Sequence, residues 1–350
     1  MEKLNKLRRY KYFWPILALC IILLYNLIFT PNFFKIEIMG DRLYGNLIDI
    51  LHRATPVMLV AIGMTLVIAT GGIDLSVGAI VSITGSVVAS LIGGKLVLLA
   101  DGTQNYVSNY PMPFAIIIAI LVGLLCGGWN GFLVSKIKIP PIIATLILMV
   151  VGRGIAQLIT NGEIITVYYA PFFFIGNGYI FKIPFTIIIS LVIIIFTIIF
   201  TRKTALGLFL ESVGINREAS RLSGIKASII LFISYAFCGF CSAISGLIVC
   251  SNVKSADANN AGLLFEMDAI LAVVIGGTSL NGGKFYIMGT VIGAIIIQTL
   301  TTTIYSTGVP PEITLVIKAI VVFIISLIQS EEFRSFVVKP FSKKGGNLYE

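Results

Sequence analysis

Few side chains in this chain are equipped for bond chemistry. His52 is its one histidine, so neither a His-based triad nor a His cluster for a metal can be assembled. Cys238 and Cys241 form a C-x-x-C pair, but the residues around them are continuously apolar and lack the βαβ setting in which such a pair does redox work. Two thiols on one face of a buried helix are the expectation. Gly277–Gly282 has the length of a phosphate-binding loop, yet Gly283 stands where lysine is needed, Lys284 is followed by Phe285, and no strand precedes it. Nucleotide binding is rejected for that stretch. We expect no enzyme activity in this chain and no cofactor.

The ionisable residues that remain within apolar surroundings are Asp74, Arg153, Glu266, Asp268 and Lys318. A carboxylate at the centre of a membrane helix costs about 2.5–3.5 kcal/mol, so such groups pair, snorkel or function. Asp74 sits in GGIDLSVG, with Gly71, Gly72, Ser76 and Gly78 around it. One reading is an unwound segment lining a cavity, which frees backbone groups for a polar solute. The other is a helix cap at the cytoplasmic interface for the run that begins at Leu75.

The elements that must position these residues are membrane helices. Hydrophobic residues make up 57% of the chain and charged residues 12%, where a globular chain carries about a quarter charged. Ten apolar runs centre on Pro15–Phe29, Thr55–Thr70, Val77–Ile92, Phe114–Val134, Pro141–Ile159, Pro184–Phe200, Ile229–Val249, Leu263–Ile275, Gly289–Tyr305 and Ile313–Ile328. The expected fold is thus an all-α integral membrane protein of about ten transmembrane helices, in one domain over residues 1–350. Crossing about 30 Å of hydrocarbon takes roughly 20 helical residues; the third and eighth runs leave open whether they cross completely.

Lys3, Lys6, Arg8, Arg9 and Lys11 precede the first run, and Thr30-Pro31 after it offers no cleavage site, so we take it as a retained span. With alternate loops on opposite sides, Lys and Arg gather on one side: the N-terminal five, Lys136, Lys138, the loop over 201–227, and Arg334–Lys344. That asymmetry puts both termini in the cytoplasm. The net charge of +9 is mainly this orientation signal together with attraction to anionic lipid, and no nucleic-acid partner is expected.

Within the 201–228 segment, ESVGINREASRLSG (Glu211–Gly224) is a polar island. Asn216 can cap a helix, Glu218 falls in its first turn, and Gly224 suits the left-handed position after its end. Two turns are too few to stand alone in water. Ile215, Ala219, Leu222 and Ile225 share a stripe, expected to pack on the membrane domain, while Arg217, Glu218 and Arg221 point to the cytoplasm. A helix lying on the lipid surface and a docking helix both fit this pattern.

GINREASRLSGI (Gly214–Ile225) resembles the cytoplasmic coupling segment of permease subunits in bacterial ABC sugar importers of the ribose and galactofuranose type. Three more stretches are similar to that family: AIGMTLVIATGGIDLSVGAIVSITG (Ala61–Gly85), WNGFLVSKIKIPPIIATL (Trp129–Leu146), where Pro-Ile replaces Pro-Phe, and DAILAVVIGGTSLNGGKFYIMGTVIGAIII (Asp268–Ile297). GDRLYGNLIDILHRATPV (Gly40–Val57) resembles the galactofuranose branch. The resemblance implies a multi-pass protein of the bacterial inner membrane, paired with a second permease subunit, a cytoplasmic ABC ATPase and an extracytoplasmic sugar-binding protein. It implies ATPase coupling at Asn216, Arg217, Glu218, Ala219, Arg221, Leu222 and Gly224. The translocation path or helix breaks would involve Gly71, Gly72, Asp74, Ser76, Gly78, Asn130, Gly276, Gly277 and Asn281.

GGTSLNGG (Gly276–Gly283) also repeats GGIDLSVG, matching Gly71, Gly72, Leu75 and Gly78, as an internal duplication would. The span count puts both breaks on one side, which suits parallel repeats. The alternative function is a secondary transporter in which Asp74, Asp268 or Lys318 carries coupling protons.

Overall fold

The computed structural model describes residues 12–40, 42–98 and 104–329. The N-terminal basic cluster and Arg334–Lys344, on which the orientation of the termini rests, lie outside the described residues. Twelve helices are numbered here: α1 Phe13–Phe29, α2 Asn46–Ala69, α3 Val77–Ile92, α4 Met112–Phe132, α5 Pro141–Ile159, α6 Phe185–Arg202, α7 Leu206–Ile215, α8 Arg217–Leu222, α9 Ala227–Val253, α10 Phe265–Ile275, α11 Ile287–Ser306 and α12 Pro311–Gln329. Among the described residues, six are long and apolar enough to cross a membrane, namely α2, α4 with its π-turn to Ile137, α5, α6, α9 and α11. α1 and α3 are shorter apolar helices.

One expectation needs correcting, and one question left open by the sequence is narrowed. The described structure is mostly helical but not purely so: four antiparallel two-stranded ladders close the connections, pairing Glu37–Met39 with Arg42–Tyr44, Lys95–Leu98 with Gln104–Val107, Ile165–Thr166 with Ser255–Ala256, and Tyr179–Ile180 with Ile183–Pro184. A backbone leaving a helix must pair its N–H and C=O groups somewhere; three of these ladders do so between neighbouring segments, and the third in this order ties the stretch after α5 to the stretch after α9. The eighth apolar run forms only the eleven residues of α10, about 16 Å of helix and half a bilayer. The residues before it, Asp257–Leu264, are turns.

α9 is the axis of the bundle and packs along α4, α2 and α3. Its seam with α4 is made by glycine. Gly123, Gly127 and Gly131 recur every fourth residue on α4, and a Cβ on Gly127 would fall 2.9 Å from the Gly239 backbone and collide with the Tyr235 carbonyl. Small residues at this spacing let helix backbones touch in an apolar solvent. Outward faces carry exposed apolar side chains such as Leu125, Val150 and Val192, as a lipid-facing surface requires. Cys238 and Cys241 are both buried as free thiols on α9.

Candidate coupling and translocation site

The first glycine break begins where α2 ends at Ala69. Gly71 takes φ +74°, a left-handed turn, and the chain then re-enters the bundle as the irregular stretch Gly72–Ser76 before α3 starts. Asp74 and Ser76 are wholly buried there. Asp74 Oδ1 accepts from the Ser76 backbone N–H (3.0 Å), the Ser76 hydroxyl (2.6 Å) and Asn130 Nδ2 (3.4 Å); Asn130 Nδ2 also donates to Ser76 Oγ at 2.8 Å. The carboxylate thus shapes the turn leading into α3. Asp74 Oδ2 and Asn130 Oδ1 have no hydrogen-bond partner in the structure. Gly72 abuts the Tyr235 hydroxyl, and Gly78 abuts the Gly262 carbonyl, with the Glu266 carboxylate 2.6 Å from where its Cβ would be. Gly72, Asp74, Ser76 and Gly78 are buried against protein, while Gly71 is exposed.

The second break, after α10, meets the first. The Gly283 N–H donates to the Ala69 carbonyl (2.9 Å), and a Cβ on Gly282 would lie 2.8 Å from the Gly71 nitrogen. Gly276 is buried where α10 crosses the start of α11, while Gly277 and Asn281 are exposed. Both breaks therefore lie at the same end of the bundle.

The polar island joins them. Gly214, near the end of α7, packs so closely that a Cβ would collide with the Ala69 carbonyl and the Gly283 nitrogen. Arg217 Nη2 donates to the Thr70 carbonyl at 3.2 Å. Three segments distant in sequence thus share one backbone node: 69–71, 282–283 and 214–217. Ala69 and Thr70 supply C=O groups that the end of α2 leaves without intrahelical partners.

Asn216 is extended and separates α7 from α8; its Oδ1 accepts from the Ala219 N–H at 3.0 Å, capping α8. Glu218 lies in the first turn, paired with Arg221 at 3.0 Å, and Gly224 takes φ +83° after the last. The expected orientation of the stripe is overturned. Ile215 is 73% and Leu222 83% exposed, and Ala219 is exposed too; the inward residue of α8 is Ser220. Arg217, expected to point away, reaches back to Thr70. Periodicity shows which residues share a face but not which way that face turns, and the bend at Asn216 turned it outward. Beside α8 runs a groove of about 690 Å³ lined by Lys138, Pro140, Arg217, Glu218, Arg221 and Lys226, which brings the Trp129–Leu146 stretch to the same end.

Of the other ionisable residues, Lys318 Nζ bridges both oxygens of Asp268 at 2.6 and 2.7 Å. Arg153 pairs with neither: its Nη1 donates to the carbonyls of Ala258 (3.0 Å) and Ala261 (2.6 Å). No role was assigned from sequence to residues 257–262, which precede the eighth run. Their signal was present in a polar DANN preceding an apolar run too short to span. His52 Nδ1 meets Thr186 Oγ1 (2.8 Å) at the opposite end of α2, beside a cavity of about 410 Å³ lined by Lys35, Glu37, Asn46, Asp49 and Arg53.

Residues 46–326, from the start of α2 into α12, match the family described as the permease component of branched-chain amino acid transport systems. The chain belongs to this permease family. The permease is also similar over nearly its whole length to curated proteins. It is 45% identical to the galactofuranose transporter permease protein YtfT of Escherichia coli K12 over 335 residues, 94% of each chain. It is 40% identical to the fructose import permease protein FruF of Bifidobacterium longum, covering 92% of this permease and 88% of that one. It is 35% identical to the ribose import permease protein RbsC of Haemophilus influenzae, covering 88% and 90%. No solved structure matches the chain. The permease is a multi-pass membrane component and not the ATP-hydrolysing one.

Proposed function

We propose that this permease is the membrane-spanning subunit of an ATP-driven importer and forms the pathway for a monosaccharide delivered by an extracytoplasmic binding protein. A second permease subunit, identical or paralogous, completes the pathway, and a separate ABC ATPase docks on the outer face of α8. The reading keeps both termini cytoplasmic and counts ten membrane segments, one of them α10 with its preceding turns. The single observation that carries it is a set of exposed apolar residues, Ile215 at the end of α7 and Ala219 and Leu222 on the six-residue α8, rooted by Gly214 and Arg217 in the glycine node. Apolar residues left outside a membrane domain, on a helix too short to hold itself, support a partner that covers them.

In this reading Asn216, Arg217, Glu218, Ala219, Arg221, Leu222 and Gly224 form the coupling element. Gly71, Gly72, Asp74, Ser76, Gly78, Asn130, Gly276, Gly277 and Asn281 act as the joint that carries its movement into α3 and α10. The cargo class follows the galactofuranose, fructose and ribose permeases to which the chain is similar.

The test is reconstitution in liposomes with the ATPase and binding protein. The permease alone should hydrolyse no ATP and move no sugar, and adding both partners should produce ATP-dependent uptake of one of the three sugars. Uptake by the permease alone, driven by an ion gradient, would overturn the reading in favour of a secondary transporter.

A further inference from the structure

The turns between Ala256 and Phe265 are placed where a lipid-facing segment could not survive. Ala258 accepts from Ser82 Oγ (3.0 Å), and Ser82 lies ten residues before the end of α3, about 15 Å of helix. Arg153, which holds Ala258 and Ala261, lies six residues before the end of α5. Gly262 packs on Gly78, its Cβ position 2.6 Å from the Gly78 carbonyl, and α10 then runs about 16 Å on to the glycine node. The turns therefore sit at mid-depth of the bundle.

Their outer side is polar and uncovered. Asn259, Asn260 and Gln157 are exposed; Gln157 Nε2 donates to Asn259 Oδ1 at 2.6 Å, and Asn260 Nδ2 donates to Asp257 Oδ2 at 2.7 Å. Around them the surface is apolar, with Ile155, Leu158, Leu263, Leu264 and Met267 exposed. Irregular backbone with open carboxamides is tolerated at membrane depth only if it is buried in protein or lines water.

We infer that Asp257, Asn259, Asn260 and Gln157 form a polar wall of the sugar path, with the surrounding apolar residues sealing against the second permease subunit. This rests on the importer reading above and moves the contact with cargo away from the glycine breaks. Carboxamides both donate and accept, which matches the hydroxyls of a monosaccharide, and Arg153 is the positioning residue that holds the turns by their carbonyls.

The test uses Asn260→Cys and Asn259→Cys, each with the exposed Cys20 changed to Ala, and Val150→Cys on the apolar face of α5 as the comparison. In the assembled importer we expect a charged methanethiosulfonate reagent to modify both asparagine-site cysteines at least tenfold faster than Val150→Cys. Modification should abolish uptake of whichever radiolabelled sugar, D-ribose, D-fructose or D-galactofuranose, the unmodified protein takes up. Rates at or below that of Val150→Cys, or full modification with uptake unchanged, would overturn the wall even if the importer works. If instead the unsubstituted assembly shows no ATP-dependent uptake, the importer reading fails. Fast labelling would then support a water-lined wall on its own.

Discussion

The Gly283 amide and the Ala69 carbonyl, 214 positions apart in sequence, meet at 2.9 Å, and the Gly214 backbone lies against both. Under the proposed coupling role, a movement of Gly214–Arg217 would pass directly to the end of α2 and to the loop joining α10 to α11. No side chain needs to relay it.

Gly214→Ala tests this directly. Its methyl group would collide with backbone on two sides, which cannot rotate away as a side chain would. We expect a stability loss of about 1–3 kcal/mol, read as a lowered Tm, and ATP-dependent uptake falling further than ATP hydrolysis by the assembled importer.

Asn216→Ala removes the cap of α8 and should cost about 1 kcal/mol, chiefly local to that helix. Binding of the purified ATPase, measured by surface plasmon resonance, should weaken severalfold. Asn216→Asp keeps an acceptor at the same place and should retain most of it.

Leu222→Glu changes a side chain that touches little within the permease, so its Tm should move by no more than about 0.5 kcal/mol equivalent. ATPase affinity should nonetheless drop at least tenfold. Arg221→Glu should also weaken docking without unfolding, by repulsion against Glu218 and loss of their exposed pair. Unchanged affinity in both variants would remove α8 as the docking surface.

Asp268 and Lys318 are partly shielded at 21% and 14% exposure. The losses of stability from Asp268→Asn and Lys318→Met should sum to more than the loss from the double substitution, with a coupling of about 0.5–3 kcal/mol in a thermal-denaturation cycle. The double variant should keep ATP-dependent uptake that ignores an imposed pH gradient. A gradient-dependent loss would mean that the pair carries protons.

The helices were legible because apolar runs and their boundaries follow directly from composition; Pro141–Ile159 is the same in both readings. The capping of α8 was equally local, fixed by Asn216 and Gly224. What escaped was set by tertiary contact. The direction of the Ile215–Leu222 face depended on the bend at Asn216, and the packing of Gly71 on Gly282 depended on a meeting of distant segments. The polar turns at Asp257–Asn260 drew no expectation from sequence, because only the bonds from Ser82 and Arg153 place them at depth.

The glycine seam between α4 and α9 has a mechanical consequence. Two helices that touch through their main chains have few interlocking side chains to lift out and reseat, and also little room to slide. They behave as a single rigid beam, and whatever swing accompanies passage of cargo must occur at its ends.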